Sequence, residues 1–218
     1  MKKSFALVLA LAMSLTGASA LAAEKVTVRF GNTAGEDDIQ SISLRDVAGR
    51  LAEATDGNFD AQVYLSSSLG DTDDLTEQAM QGAPIVTVSD PSRLQSFVKD
   101  YGILGMPYMF DSYEGLDTIM ATDTYAKWAQ EFADQGIWLV TSNWFSGVRN
   151  FTCDKVVKEP ADLNGLRIRT MGNDICTKSV NAMGAVATPM SWSEVYTSIQ
   201  QKAPKCRRLP STRPACGK

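Results

Sequence analysis

Apolar and polar residues alternate from Val26 to Phe30, as they do in a strand with one face buried, and Gly31-Asn32-Thr33 ends the run. Leu44, Val47, Ala48, Leu51 and Ala52 then recur at helical spacing, and Gly57 is placed to stop that helix. Ala61–Leu65 reads as a second strand. Asp71–Gln81 reads as a second helix, with acids at its start and Gly82 at its end, and Ile85–Val88 as a short third strand. The order β-α-β-α-β predicts a mostly parallel sheet flanked by helices.

The second half of the pattern is less regular. Gly102–Phe110 (GILGMPYMF) reads as a buried apolar loop, followed by helices near Tyr113–Met120 and Tyr125–Gln135 and an apolar strand at Ile137–Thr141. Asn143–Gly147 is an aromatic turn, Val148–Cys153 is extended, Pro160–Gly165 is a helical turn closed by glycine, and Leu166–Arg169 is strand-like. Asp174–Met183 suits a helix ended by Gly184. Ser191-Trp-Ser-Glu194 forms a capping box, because serine and the glutamate three residues later can each satisfy an orphan amide of the other. The helix after it should bury Val195 and Ile199 and should break at Pro204.

The two ends read differently from the body. Lys2 and Lys3, the apolar run Phe5–Leu15 and the small residues up to Ala23 follow the order of a secretory signal peptide, so residues 1–23 are expected to be removed on export to the periplasm. The apolar run is shorter than the ~20 residues a bilayer span needs, so no stable membrane insertion is expected after cleavage. All 25 acidic residues lie between Glu24 and Glu194, whereas Lys202–Lys218 carries six basic residues and no acidic one. Residues 202–218 therefore read as an aberrant basic tail, either solvated or out of frame. The abrupt change of composition inside a properly started helix favours the second reading.

Composition narrows the chemistry. An acidic body is a poor match for nucleic acid, which selects basic footprints. The chain has no histidine, which removes Ser-His and Cys-His catalytic arrangements and histidine-ligated metals. No carboxylate pair stands at a marked spacing and no glycine-rich phosphate loop is present, so neither an enzyme nor a cofactor is expected. Cys153 and Cys176 either pair in an oxidising periplasm or stand as two buried thiols.

The sharpest candidates for binding are arginines. Arg149 follows the aromatic turn, and Arg169 ends the strand that begins at Leu166. Ligands of parallel sheets bind beyond the carboxyl ends of strands, and a guanidinium there matches a carboxylate bidentately. Arg167 shares a strand face with Arg169, so one of the two can be the ligand group and the other a surface charge.

Four pieces carry a family resemblance: Asn143-Trp-Phe-Ser-Gly-Val-Arg149, Glu159-Pro-Ala-Asp-Leu-Asn-Gly-Leu-Arg-Ile-Arg169, Met183-Gly-Ala-Val-Ala-Thr-Pro-Met190 and Ser193-Glu-Val-Tyr196. In this order and spacing the chain resembles the solute-binding proteins of tripartite ATP-independent periplasmic (TRAP) transporters, from about Val26 to Gln201. The resemblance implies an α/β, type II periplasmic-binding-protein-like fold of two lobes, with mostly parallel sheets flanked by helices and the second lobe incomplete. Residues 24–141 would form mainly the first lobe, and 142–201 the hinge-crossing strands and part of the second. It implies capture of a small organic acid and delivery to a TRAP-type membrane permease. Sugar acids, C4-dicarboxylates and keto acids all qualify as ligands. A ligand-sensing receptor module is the alternative. In such proteins the residue matching Arg169 pairs with the substrate carboxylate and the one matching Arg149 lies nearby. Asn32, Ser89, Trp144, Asn173 and Trp192 fall at positions that line the pocket in relatives.

Overall fold

The computed structural model describes residues 25–110, 112, 114–144, 147–201 and 206–211. The predicted signal peptide lies outside them. Two sheets form the frame. The first is parallel, in the order β2-β1-β3, with β1 at Val26–Gly31, β2 at Phe59–Tyr64 and β3 at Ile85–Thr87. Between these strands run α1 (Ile39–Ala54) and α2 (Thr72–Met80). The start of α1 is set by Asp38, whose side chain accepts from the Gln40 amide at 2.9 Å. Its inward face is Ser41, Leu44 and the row through Val47 and Leu51, at helical spacing. Its end turns on Gly57, at φ +78°, whose amide returns to the Ala52 carbonyl. A β-carbon is strongly disfavoured at that φ.

After β3 come a short helix α3 (Pro91–Leu94), a 3-10 segment (Lys99–Gly105), α4 (Glu114–Met120) and α5 (Asp123–Ala133). Leu94, Val98, Tyr101, Leu104, Phe132 and Ile137 form one core here, with the Tyr101 ring set edge-on to Phe132 at 5.0 Å. Gly105 allows the 3-10 segment to sit on α3. A β-carbon at that position would lie 2.8 Å from the Ser92 backbone nitrogen.

The second sheet has the order β4-β7-β5-β6, with β4 at Val148–Cys153, β5 at Arg167–Thr170, β6 at Val186–Pro189 and β7 at Cys206–Ser211. β5 is parallel to both β6 and β7, while β4 runs antiparallel to β7. Helix α6 (Asp174–Ala182) packs on β5 and β6, and α7 (Trp192–Gln200) follows β6. The core on this side is Leu163, Ile168, Val180 and Ala185. At α7 the capping box forms as expected, with Glu194 accepting from the Ser191 amide. Val195 is buried and Ile199 half-buried.

Four expectations are corrected. Ile137–Thr141 is not a strand. Ile137 is buried, but Trp138 and Val140 are exposed, and no described strand lies alongside to supply a ladder. The Gly102–Phe110 loop is buried only at Gly102 and Leu104, because Ile103, Met106, Tyr108 and Met109 face outward. The basic tail is not a solvated segment at Cys206–Ser211, which fits between β4 and β5 as a ladder strand. Cys153 and Cys176 do not pair. Cys176 is a free, buried thiol on α6, whereas Cys153 is disulfide-bonded and stands in register with Cys206 across the β4–β7 ladder. The β4–β7 ladder sets position 206 opposite Cys153, while Cys176 is carried onto the helix layer.

Among the described residues no helix is long and apolar enough to cross a membrane.

Candidate functional site

The carboxyl ends of β3 and β5 carry the polar groups of the cleft. β3 leads into Ser89 and Asp90, and β5 ends on Arg169 and Thr170. Arg169 is only 4% exposed, whereas Arg167, at the first position of the strand, is exposed. Of the two guanidinium groups, only that of Arg169 is therefore enclosed by the protein.

The Arg169 guanidinium is held on two sides. Its Nε and Nη2 both donate to the Met190 carbonyl, at 3.1 and 2.7 Å. Its Cζ stands 5.6 Å from the centroid of the Trp192 ring, within cation–π range. Trp192 is itself 40% exposed, so it covers the arginine and does not fill a core. Among the described residues no carboxylate lies within ion-pair distance of Arg169, and no group accepts a hydrogen bond from its Nη1. Burial brings its pKa down to about 10, with further lowering by Arg93 and Arg149, so the group remains charged at neutral pH. A buried cation without a counter-ion is costly to hold, and its open donor favours an anion.

Arg149 is differently placed. It reaches from β4 to Asp90, its Nη2 paired with Asp90 Oδ2, and its Nη1 lies 3.9 Å from the sulfur of Met171. Asp90 is fixed from the other side, since its Oδ1 accepts from the Ser92 amide at 2.9 Å and from the Ser92 hydroxyl. Arg149, Arg169, Thr170, Met171, Cys176 and Val180 line one narrow cavity of about 10 Å³. Thr170 Oγ1 is buried and has no hydrogen-bond partner among the described residues, and the same holds for Ser89 Oγ and Asn173 Nδ2.

A larger groove of about 560 Å³ lies between α2 and α6, lined by Asp73, Glu77, Arg93, Lys99, Asn173 and Asp174. Its charges are mixed, and its half-buried Arg93 is already paired with Asp73. Size favours this groove, which also holds Asn173, but the enclosed guanidinium of Arg169 beside the partnerless Thr170 Oγ1 favours the arginine cavity as the centre of recognition.

The sequence candidates thus separate. Arg149 and Arg169 come together, with Trp192 packed over Arg169. Asn173 caps α6 through its Oδ1, 2.9 Å from the Cys176 amide, and lines the larger groove. Asn32 is buried but engaged within its own lobe, donating to Ser41 Oγ at 3.2 Å and accepting from the Ala34 amide. Trp144 is partly exposed and contributes to neither cavity's lining. Sequence reasoning missed Asp90 and Thr170. The signal for Asp90 was present: an Asp-Pro pair directly after a strand marks a helix start, and so a fixed carboxylate at a strand end.

The chain matches the family model for bacterial extracellular solute-binding protein, family 7, over residues 30–203. A solute-binding protein of Chromohalobacter salexigens is 32% identical over 160 residues, covering 72% of this chain and 47% of the relative. A TRAP periplasmic solute-binding protein from Ochrobacterium anthropi, solved with bound L-fuconate, superposes with a TM-score of 0.82 at 28% identity. That match covers 85% of this chain and 62% of the other. A TRAP periplasmic solute-binding protein from Desulfovibrio salexigens, solved in complex with diglycerolphosphate, gives 0.81 at 31% identity, covering 85% and 60%. The chain thus spans about half the length of the first relative and about 60% of these two solved structures. With the two sheets, the helix order and the match over residues 30–203 in agreement, the chain belongs to family 7 of the bacterial extracellular solute-binding proteins, the DctP family.

Proposed function

We propose that the protein captures a small hydroxylated organic acid in the periplasm and delivers it to a TRAP-type membrane permease. The observation that carries this reading is Arg169: a buried guanidinium at a strand end, stacked on Trp192, lacking a carboxylate among the described residues. A ligand carboxylate supplies the missing counter-charge, and the hydroxyls of Ser89 and Thr170 suit ligand hydroxyl groups. The ligands named for the two solved relatives, L-fuconate and diglycerolphosphate, are both hydroxylated anions, which supports the same chemistry here. Capture requires the lobes to part and close again, with ligand contacts favouring the closed state. No covalent step belongs to this reading.

The test is a thermal-shift screen of the purified chain against sugar acids, dicarboxylates, keto acids and neutral sugars, followed by calorimetry on the hits. Organic acids are expected to raise the melting temperature and neutral sugars to leave it unchanged. Arg169→Gln is expected to lower affinity by about 100-fold, equivalent to the ~3 kcal/mol at the upper end for a hydrogen bond to a charged group. Equal affinity in that variant overturns the role given to Arg169.

A further inference from the structure

We propose that Asp90 makes the cleft selective for acids carrying a single negative charge, by holding Arg149 as an internal ion pair. This inference rests on the reading of Arg169 as the anion-binding group. Two arginines converge on the cavity, and taken alone they suit a diacid. Arg149, however, is neutralised from within the protein by Asp90. The pair is not a chance meeting of two mobile chains. Asp90 is anchored independently by the amide and hydroxyl of Ser92, so one carboxylate oxygen is committed to α3 and the other to Arg149. Gly105 brings the 3-10 segment close against Ser92 and leaves little room for that anchor to move.

The other charges nearby follow the same count. Arg93 is paired with Asp73. Asp71 contributes a favourable coulombic interaction to Arg169, and its own carboxylate is satisfied by Ser67 and Ser193 at 2.9 Å each. Arg169 is left as the one cation lining the narrow cavity that lacks a carboxylate among the described residues. A first ligand carboxylate meets that open guanidinium. A second one meets an arginine already neutralised by the fixed carboxylate of Asp90, with the Asp71 carboxylate adding to the negative potential acting on Arg169. A hydroxyl in the same place meets Thr170 Oγ1, which lines the cavity and lacks a partner of its own among the described residues. The arrangement rejects a second charge and accepts a polar, uncharged end, which is selection by repulsion as much as by attraction.

The experiment compares galactonate and galactarate, which share a carbon skeleton and differ in one terminal carboxylate. Calorimetry on the full chain is expected to show galactonate bound at least about tenfold more tightly. Asp90→Asn keeps an acceptor for the Ser92 amide and frees Arg149. It is expected to improve the ratio for galactarate by about tenfold or more, a change that loss of packing alone does not produce. The double variant Asp90→Asn, Arg149→Gln removes both charges and is expected to restore the preference for galactonate. It also covers the case in which freeing Arg149 unfolds the chain. Equal binding of the two acids by the wild-type chain overturns the proposal, as does an unchanged ratio in Asp90→Asn. If neither acid binds the wild-type chain, the assignment of Arg169 falls too. If galactonate binds and depends on Arg169 but the ratio is flat, only the inference about Asp90 fails.

Discussion

Asp71, the N-cap of α2, accepts a hydrogen bond from the Ser193 hydroxyl near the start of α7 at 2.9 Å, joining helices 122 positions apart in the chain. The same carboxylate accepts from Ser67, and its helix begins with a capping box to Asp74. Burial pushes the Asp71 pKa up, but the hydrogen bonds from Ser193 and Ser67 outweigh it and the value falls below the ordinary 3.8. A carboxyl with a lowered folded pKa contributes stability above its unfolded pKa and loses it as pH falls through the folded one. Asp71→Ala is expected to destabilise the chain by about 1–2 kcal/mol at neutral pH through the lost cap. The melting temperatures of wild type and variant should converge as pH is lowered below about 4. Thermal denaturation of both proteins at pH 7, 5 and 3 checks this, and a constant difference across the series contradicts it.

The second prediction concerns the pH range of binding. Although burial lowers its pKa, Arg169 keeps its charge throughout the neutral range. Acid affinity should therefore stay flat from about pH 6 to 10, since the guanidinium holds its proton across that range. Calorimetry with a sugar acid from about pH 6 to 10 measures it. A decline already between pH 7 and 8 would assign the binding charge to a different group.

A third prediction tests the linkage between the core and the segment leading to β4. Ser142 Oγ lies 2.7 Å from the Tyr101 hydroxyl and 2.6 Å from that of Tyr125. Tyr101 is 2% exposed, and burial pushes its pKa up to about 12, so its hydroxyl stays protonated and needs a partner. Ser142→Ala leaves that buried group unpaired, at a cost of about 1–3 kcal/mol. The pair Tyr101→Phe, Ser142→Ala should be less damaging than the sum of the two single changes, because the interaction is then removed from both sides. Urea denaturation of the four proteins gives the coupling; simple additivity contradicts the bridge.

How much of this was legible beforehand varies by element. Strands β1 to β3 and helices α1 and α2 were readable because alternation, caps and stop glycines all pointed the same way, as at Asp71 and Gly57. Ile137–Thr141 was misread because apolar sequence reports burial at Ile137 but does not supply a neighbouring strand. β7 was missed because basic residues and Pro210 mask a ladder strand whose pairing comes from β4 and β5. In the site, Arg169 was readable from its place at a strand end. Its lack of a counter-ion was not, and neither was the Asp90 pair, because Asp90 and Arg149 stand 59 residues apart. For Asn32, which the family resemblance places at the pocket, the hydrogen bond to Ser41 was equally unreadable, because the two residues meet only through the turn into α1.

The last prediction uses Cys176 to follow the opening of the cleft. The thiol is buried on α6, lines the arginine cavity, and lies 3.9 Å from Ser92 Oγ on α3, so it sits where the two halves meet. A thiol reagent can reach it only when α3 and α6 separate. Labelling of the native chain should therefore be slower than that of the urea-unfolded chain by about 100-fold or more, in line with an opening free energy of ~3 kcal/mol. A bound acid should slow it further in proportion to its occupancy, because ligand contacts favour the closed state. Peptide mapping after timed labelling separates Cys176 from the other cysteines. Protection by a saturating acid that vanishes in Arg169→Gln would tie closure to the buried guanidinium, whereas labelling as fast as in urea would show that Ser92 and Cys176 do not meet in solution.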